Sequence, residues 1–358
     1  MEETRIQRAV NQMKQYGLTQ MLVTEPASIF YLTGQMIYPG ERMLAYLIRE
    51  KGGNVLFVND LFTAAPGDYE IVSFNDIDDA PAKILPYLDG GKALGIDKEW
   101  PSRFLLRLMD LKAAAGYVNS GIVVDKVRAI KDASEREAMI SSSLINDKAM
   151  GQFALLVKEG LSEKDIASKI SGIYKSLGAK CPSEGGIVSF GANAADPHHG
   201  PDDTVLKKGQ CVLFDVSGVY NGYYSDMTRT FFTAQPTEEQ RKVYELVLKA
   251  NLAAEAMIRP GVALKDIDAA ARDIISEAGY GKYFTHRLGH FIGLTVHEYG
   301  DVSSVSDWIA EPGMVFSVEP GIYLPGNFGV RIEDLVMVTE EGCMVLNHYP
   351  KELTVLAI

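Results

Sequence analysis

An internal repeat in the second part of this 358-residue chain constrains the fold more than any other feature. KEGLSEKDIASKISGIYKSLGA at 158–179 aligns without gaps with RPGVALKDIDAAARDIISEAGY at 259–280, and the two share a Gly, a Lys-Asp-Ile triplet, a later Ile and the closing Gly. Two copies are too few for a solenoid. The repeat therefore predicts a duplicated unit whose two halves are related by a pseudo-two-fold axis. Each half is predicted to contain a long helix, a Gly turn, a second helix and then strands.

Acidic residues lie in the predicted strands of both halves. Asp215 and Asp226 follow the first copy of the repeat. His290, Glu319 and Glu333 follow the second copy. If the two halves meet, four carboxylates and one imidazole share a site, and the carboxylates repel one another unless cations compensate them. Two divalent ions would cancel the four charges, so the sequence predicts a two-metal hydrolytic centre.

Turn residues bring the first pair of acids together. Asn-Gly at 221–222 is typical of a β-hairpin. A loop centred on this dipeptide pairs Asp215 with Thr228, whereas a loop centred one position earlier pairs Asp215 with Asp226. Both registers place the two carboxylates on one face of the hairpin. The alternative is two unrelated acids, which the apolar strand around Asp215 disfavours because a buried acid needs a compensating partner.

A second turn, centred on Gly326, places Glu319 opposite Glu333. Arg331 shares a face with Glu333, because side chains alternate along a strand. Arg331 is therefore predicted to hold the metal-binding carboxylates from behind. The alternative for this pair is a buried Arg–Glu ion pair without a metal.

Five of the six histidines fall in two short polar segments. A lone histidine is more often structural, but this concentration favours a functional site. Imidazole together with carboxylates suits manganese, zinc, cobalt or iron, and the lack of thiolates disfavours a soft-ligand zinc site. The five are His198, His199, His286, His290 and His297.

The composition narrows the function classes. A net charge of −12 disfavours nucleic acids and anionic membranes as partners. Cys181, Cys211 and Cys343 are an odd number at wide spacing, which predicts buried or inert thiols rather than a disulfide framework. With no apolar leader segment and no run of about 18 apolar residues, the protein is predicted to be cytoplasmic. The length predicts two domains.

The first part of the chain mixes helix and strand patterns, which predicts an α/β domain. The segment 121–131 is predicted to lead out of this domain. Ser134 is predicted to cap the long helix that follows, with Glu137 completing a capping box. The expected elements are helices at 2–16, 79–88 and 101–115 and strands at 21–25, 44–50, 54–60 and 93–97.

Four motifs resemble those of a known family. LFDVSGVYNGYYSDMTRTF, HRLGHFIGLTVHE, FSVEPGIY and GVRIEDLVMVT have the order and spacing of the pita-bread metallopeptidases, which include methionine aminopeptidase, aminopeptidase P and prolidase. This resemblance covers 130–345. The region 1–125, with FYLTG at 30–34, resembles the amino-terminal domain of the prolidase, aminopeptidase P and creatinase branch. The implied fold class is α+β, with a creatinase-type α/β domain at 1–125 and a pita-bread catalytic domain at 126–358.

The resemblance implies a role for each of the five convergent residues. Asp215 would chelate one metal ion, and Asp226 and Glu333 would bridge both ions. His290 and Glu319 would bind the second ion. Manganese is the expected metal, with cobalt, zinc or iron as alternatives.

The same resemblance implies roles for the residues around the metals. His198 would contact the substrate, and His297 would steady the tetrahedral intermediate. Glu319 would carry a proton to the leaving nitrogen. The residues that would support the metal ligands from behind are His286, Arg331 and Thr228.

The implied reaction is hydrolysis of the Xaa-Pro bond at the amino terminus of dipeptides or short peptides by a hydroxide that bridges two metal ions. A homodimer is expected, in which 30–43 reaches the partner's active site. The alternatives are an inactive module that binds peptides or proteins, an aminopeptidase of other amino-terminal specificity, and a creatinase-like amidinohydrolase. The intact ligand set disfavours the first and the last, and the amino-terminal domain disfavours the second.

Three residues have no role by this resemblance. The family often has Gly where this chain has Phe291, which is expected to narrow the pocket. Some strict prolidases carry an Arg near the position of Asp301 that binds the terminal carboxylate of the substrate, so Asp301 disfavours a strict dipeptidase and leaves an aminopeptidase P function open. His199 is expected to be an ordinary loop residue.

Overall fold

A computed structural model describes residues 3–181 and 186–358 of the chain. The chain divides into two compact units, Met1–Arg128 and Ala129–Ile358, and each is described by itself. Within the described ranges, no helix has both the length and the apolar character needed to cross a lipid bilayer.

The first unit is built on a six-stranded mixed sheet. Leu47 and Ile48 are neighbours on opposite faces of this sheet and both are fully buried, so both faces are covered. The strands are β1 (Gln20–Val23), β2 (Leu44–Arg49), β3 (Asn54–Asn59), β4 (Tyr69–Phe74), β5 (Ala93–Ile96) and β6 (Gly116–Asn119), in the order β4-β3-β2-β1-β5-β6, and the α-helices are α1 (Arg5–Gln15), α2 (Pro26–Thr33), α3 (Ser102–Asp110) and α4 (Gly121–Ala129).

Most elements predicted for this unit are confirmed, with three differences. The helix expected at 79–88 is a 3-10 helix, Ala80–Tyr87, whose internal proline cannot donate to an α-helical ladder. The helix expected at 101–115 ends at Asp110. Strands β4 and β6 and helices α2 and α4 are not predicted from the sequence. Helix α2 begins at Pro26, whose fixed φ and missing N–H suit the first helical position.

The second unit contains the repeated helices. The first pair is α5 (Ala133–Leu156) and α6 (Glu163–Ser176), and the second pair is α7 (Glu238–Met257) and α8 (Leu264–Glu277). The two repeat segments fall on α6 and α8, each of which follows a longer helix. The predicted duplication of a long helix, a turn and a second helix is therefore confirmed.

The predicted cap of α5 is wrong by two residues. Asp132 accepts a hydrogen bond from the backbone N of Glu135 (3.0 Å), and the Glu135 side chain accepts one from the backbone N of Asp132 (2.9 Å). Ser134 lies inside the first turn and donates to Asp132 (2.7 Å). Both Asp132 and Ser134 have an acid three residues later, so the local pattern fits either, and the helix uses the earlier one because it begins at Ala133.

Three small sheets accompany the helices of the second unit: β7-β8-β9, β11-β10-β12-β15-β16 and β13-β14. Their strands carry the predicted metal ligands or lie beside them. The bounds are β7 (Ile187–Phe190), β8 (Cys211–Tyr220), β9 (Tyr223–Phe232), β10 (Gly289–Phe291), β11 (Glu298–Val302), β12 (Val315–Val318), β13 (Gly321–Leu324), β14 (Phe328–Arg331), β15 (Asp334–Val338) and β16 (Cys343–Val345).

Turn residues set the register of the β8–β9 hairpin. Asn221 and Gly222 have φ values of 51° and 83°, as a two-residue type I′ turn requires. Asp215 therefore pairs with Thr228, which is the register centred on the Asn-Gly dipeptide. Of the two registers that the sequence allows, the structure has this one.

A second register is centred on Gly326, whose φ is 74°. Strand β13 pairs with β14, and β12 pairs with β15, in one continuous register about this turn. Glu319 lies between β12 and β13, and Glu333 lies between β14 and β15. The segments that carry these two acids therefore face each other, as predicted.

Candidate metal centre

A cavity of about 440 Å³ in the second unit contains most of the predicted site residues. Residues from both duplicated halves line it, so the strands of the two halves meet at one place. Thr228 does not line the cavity but lies directly behind it, in contact with a lining residue. The predicted residues in the lining are His198, Asp215, Asp226, His286, His290, His297, Glu319, Arg331 and Glu333.

A short bridge joins the two halves at this site. The backbone N of Glu333 donates to the carbonyl oxygen of Thr228 (3.1 Å), and Thr228 Oγ1 donates to Glu333 Oε2 (2.7 Å). Asp226 pairs with Ser217, two positions beyond Asp215, so Asp215 and Asp226 share one face of the hairpin. The hairpin of the first half therefore presents its acids to the acids of the second half.

We call Asp215, Asp226, His290, Glu319 and Glu333 the five-residue cluster. His290 Nε2 lies 3.7 Å from Asp226 Oδ2, 3.5 Å from Glu319 Oε1 and 3.9 Å from Glu333 Oε1. Ligand atoms of Asp226, His290 and Glu333 all lie within 4.8 Å of one another. Metal–ligand bonds of about 2.0–2.2 Å place neighbouring ligand atoms roughly 3 to 4 Å apart. The spacing of these atoms therefore fits a cation.

The tautomer of His290 also fits a metal ligand. Its Nδ1 lies 3.1 Å from the carbonyl oxygen of Phe291, a group that only accepts hydrogen bonds. Nδ1 therefore carries the proton of the neutral ring, and the lone pair of Nε2 points toward the carboxylates. A backbone carbonyl behind the imidazole is the usual device that orients a metal-binding histidine.

Arg331 is the arginine that pairs with a carboxylate of the five-residue cluster. Arg331 is buried. Its Nη2 donates a hydrogen bond to Asp215 Oδ2 (2.6 Å), its Nε donates to Thr228 Oγ1 (3.1 Å), and its Nη1 donates to the Tyr323 hydroxyl (2.8 Å). The Tyr323 hydroxyl in turn contacts His286 Nε2 (2.8 Å). Arg331, Thr228 and His286 thus lie behind the carboxylates. One guanidinium balances only one of the four negative charges.

Burial and mutual repulsion disturb the protonation of the carboxylates. Burial, followed by repulsion from Asp215 and Glu319, raises the pKa of Asp226 well above its ordinary value. Burial, followed by repulsion from Asp226, does the same to the pKa of Glu333. Burial raises the pKa of Glu319 to about 7, against the opposing effect of Arg331. These carboxylates hold protons near neutral pH unless additional positive charge is supplied.

Three histidines of the cavity, His286, His290 and His297, are neutral near pH 7. Burial lowers the pKa of His290 to about 3 and the pKa of His286 to about 4. Burial also lowers the pKa of His297. A neutral imidazole offers one lone pair to a metal or one N–H to a substrate oxygen, so these rings suit the ligand and donor roles predicted for them.

The two predicted substrate-contacting histidines lie at the cavity wall. The ring of His297 packs edge-on against His290, with ring centroids 4.2 Å apart and an interplanar angle of 80°. His198 is exposed on the loop that follows β7. Both rings line the same cavity as the five-residue cluster, within the space where a bound peptide would lie.

The expectation that Phe291 narrows the pocket is wrong. Phe291 is fully buried and packs against Trp308 and Phe316, away from the cavity. His290 faces the carboxylates, so its neighbour on β10 faces the opposite side. Asp301 is half-buried and accepts a hydrogen bond from Ser303 Oγ (2.6 Å), and it is not among the cavity-lining residues.

Sequence reasoning does not find two residues of the site. Tyr323 connects Arg331 to His286, and a signal for it exists: it lies on the same strand face as Glu319, four positions later. Arg287 lines the cavity beside His286. No strand or helix period applies in this loop, so nothing in the sequence predicts the direction of the Arg287 side chain.

Two family models match the chain. Residues 137–340 match metallopeptidase family M24, and residues 5–130 match the creatinase/prolidase N-terminal domain. An uncharacterised peptidase of Staphylococcus aureus (strain MSSA476) is 38% identical over 357 residues, which cover 97% of this chain and 100% of that protein.

The solved structures that are similar to this chain are also peptidases. A dipeptidase, PepE, from Mycobacterium ulcerans is 33% identical with a TM-score of 0.93, covering 99% of this chain and 97% of that one. A prolidase from Pyrococcus horikoshii OT3 is 31% identical with a TM-score of 0.88, covering 98% and 99%. An Xaa-Pro dipeptidase from Bacillus anthracis is 30% identical with a TM-score of 0.88, covering 98% and 99%.

The predicted fold class is confirmed by these matches: a creatinase-type amino-terminal domain precedes a pita-bread catalytic domain. The predicted enzyme class is confirmed as well, since the family model, the relatives and the structural neighbours are all peptidases. The chain is a metallopeptidase and belongs to family M24, in the branch of the prolidases and related Xaa-Pro peptidases.

Proposed function

We propose that this enzyme hydrolyses the Xaa-Pro bond at the amino terminus of dipeptides or short peptides, with two divalent metal ions held by the five-residue cluster. The observation that carries the proposal is the meeting of four carboxylates and one neutral imidazole in a single cavity, where Arg331 pairs with Asp215. The structural neighbours described as prolidase and Xaa-Pro dipeptidase support the choice of substrate.

The residues present fit the metals. Asp226, Glu333, Glu319 and His290 offer ligand atoms at one place, and Asp215 lies at the edge of this group, held by an arginine. Oxygen and imidazole ligands suit manganese, the metal that we propose, and also suit cobalt, zinc or iron. When bound, such ions supply a Lewis acid for the peptide carbonyl and a water of lowered pKa.

The chain's own groups complete the reaction. Glu319 lines the cavity beside His290, where its carboxylate is placed to accept a proton from the attacking water and to pass it to the leaving nitrogen. His297 and His198 are placed to donate hydrogen bonds to the oxyanion that forms at the carbonyl. The proline nitrogen of the scissile bond carries no hydrogen, so the enzyme needs no acceptor for an N–H at that position.

We also propose a homodimer in which 30–43 approaches the partner's cavity. Within the first unit, Tyr38 and Met36 are exposed apolar side chains on this segment, at 73% and 40% of full exposure. Exposed apolar groups are typical of an association surface. Light scattering on the purified enzyme is expected to give twice the mass of one chain, and a single-chain mass would contradict this part of the proposal.

The experiment that tests the reaction compares matched substrates. Enzyme stripped of metal is reloaded with manganese, cobalt or zinc and assayed on an Xaa-Pro dipeptide and an Xaa-Pro tripeptide, with the corresponding Xaa-Ala peptides as controls. Metal-dependent hydrolysis of the proline substrates, at least about tenfold faster than of the alanine controls, is expected. Equal rates would favour an aminopeptidase of other specificity. Peptide binding without turnover would favour an inactive module.

A further inference from the structure

One buried carboxylate, that of Glu163, is hydrogen-bonded to both ends of the loop that carries His198. Glu163 is the first residue of α6 and is fully buried. Its Oε1 accepts hydrogen bonds from the backbone N of Phe190 (2.7 Å) and from Asn193 Nδ2 (3.0 Å). Its Oε2 contacts His199 Nε2 (2.8 Å) and accepts from the backbone N of Asp202 (3.0 Å). We call these five residues the Glu163 cluster.

The cluster spans the loop from its first residue to its last. Phe190 ends β7, and Asp202 begins the segment that runs beside the amino-terminal end of α6. That segment is fixed independently, because the backbone N of Glu163 donates to Thr204 O (3.1 Å) and the backbone N of Leu206 donates to Leu161 O (2.9 Å). One carboxylate therefore ties 190–202 to a rigid helix end at four points.

His198 depends on this loop for its position. Its ring is exposed and makes no hydrogen bond to any residue in the described ranges, and its backbone N donates to Asp196 Oδ1 (3.1 Å). The next residue, His199, turns its ring the other way and binds Glu163. The direction of the His198 side chain into the cavity therefore follows from the attachment of His199.

The Glu163 cluster is a hydrogen-bonded anchor and not a cation site. Ligand atoms of Glu163, His199 and Asp202 lie within 4.8 Å of one another, a spacing that a metal site also has. Both oxygens of Glu163, however, are each used by two nitrogen donors. Asp202 Oδ1 accepts from the backbone N of Thr204 (2.7 Å). A buried carboxylate with four donors needs no cation.

We propose that His199 and Glu163 are positioning residues that hold His198 against the substrate. This inference rests on the proposed peptidase function and gives His199 a role that the family resemblance leaves open. Displacing a catalytic group by about 1 Å can lower a rate by roughly a hundredfold. Loss of the His199 ring removes one of the four attachments of the loop, so it is expected to act on turnover through His198.

The test is a double-mutant cycle. His198→Ala, His199→Ala and the double variant are compared with wild type for kcat, KM and metal content, using an Xaa-Pro dipeptide. His199→Ala is expected to lower kcat by roughly tenfold to a hundredfold, with KM and metal content unchanged. In the His198→Ala background, removing His199 is expected to have no further effect on kcat. His199→Gln, which retains an N–H donor for Glu163, is expected to recover part of the loss.

A control and a second readout separate positioning from folding. His348 forms a similar pair with Asp147 (3.5 Å) on the surface, and His348→Ala is expected to leave kcat unchanged. Hydrogen exchange of the backbone amides of 190–202 is expected to rise in His199→Ala, while exchange in the β8–β9 hairpin stays as in wild type.

Other outcomes would overturn the inference, the proposed function or both. Multiplicative losses in the double variant would show that the two histidines act independently. Loss of bound metal in His199→Ala would show that the Glu163 cluster is a metal site. If the wild type cleaves only peptides without proline, the proposed function fails, and the same cycle on that substrate still tests the positioning. If the wild type cleaves no peptide, both proposals fail.

Discussion

Two groups in the second unit each combine a carboxylate with an imidazole at short range, and they differ in what balances the negative charge. In the Glu163 cluster, one carboxylate has four nitrogen partners. In the five-residue cluster, Arg331 pairs with Asp215, and burial together with repulsion raises the pKa of Asp226 and of Glu333. In both clusters, acids and histidines lie close together. The number of donors for each carboxylate distinguishes a hydrogen-bonded anchor from a site that needs metal ions.

The largest expected effect is loss of Asp226, a proposed bridging ligand. Asp226→Asn removes a charge from the five-residue cluster and is expected to abolish metal binding and to lower kcat by about a thousandfold or more, with the fold retained. Metal content and turnover are measured together with circular dichroism. The matched control is Asp202→Asn in the Glu163 cluster, which is expected to keep its metal. Full activity of a metal-free Asp226→Asn enzyme would contradict the metal assignment.

The next effect concerns the cation behind the carboxylates. Arg331→Met leaves Asp215 without its ion-pair partner and is expected to weaken metal affinity by roughly tenfold to a hundredfold. Isothermal titration with manganese measures this change. Lys351→Met, which breaks the buried pair with Glu255, serves as the control and is expected to lower stability without changing metal affinity. Unchanged manganese affinity in Arg331→Met would show that the arginine does not hold the ligands.

The pH dependence of stability gives a third test. In metal-free protein, Asp226 and Glu333 keep protons that the unfolded chain has already lost, and Glu319 does so up to about pH 7, so the free energy of unfolding is expected to fall as pH rises above 6.5. Each such proton contributes up to about 1.4 kcal/mol per pH unit. His286 and His290 have lowered pKa values, so they change the free energy of unfolding only below about pH 6.5, where the unfolded histidines gain protons.

Urea unfolding at several pH values, with and without manganese, measures this slope. Bound manganese is expected to remove most of it, because the carboxylates are then already deprotonated in the folded state. A metal-free protein whose stability stays flat or rises between pH 6.5 and 8.5 would contradict the raised pKa values of the carboxylates.

The smallest effect is expected from a single hydroxyl. Tyr323→Phe removes the group that links Arg331 to His286 and is expected to lower kcat/KM by about threefold to tenfold, since only a supporting hydrogen bond is lost. Steady-state kinetics on an Xaa-Pro dipeptide measure the change. A loss as large as that of Asp226→Asn would mean that Tyr323 contacts the reacting atoms.

Local chemistry made the convergence of the proposed metal ligands predictable. Asn221 and Gly222 define a two-residue turn, and that turn determines which residue lies opposite Asp215. The turn centred on Gly326 likewise determines that Glu319 lies opposite Glu333. Short-range turn geometry and strand alternation are sufficient to place acids on one face, and the internal repeat supplies the reason for the two halves to meet.

Long-range attachments were not predictable in this way. The contact between His199 and Glu163 joins residues that are 36 positions apart in sequence, and it forms only when α6 packs beside the loop after β7. Alternation on β10 directs the Phe291 side chain into the core and away from the cavity. A difference from the family at that position suggested instead that Phe291 narrows the pocket. The cap at Asp132 shows a third limit, because two overlapping sequences satisfy the same capping rule.

The most direct test of the account is the position of bound metal. Anomalous diffraction from a crystal of the enzyme grown with manganese is predicted to show two peaks per chain, both within ligand distance of the five-residue cluster, and none at the Glu163 cluster. A structure with no peak among Asp215, Asp226, His290, Glu319 and Glu333, or with a peak bound to Glu163 and His199, would contradict it.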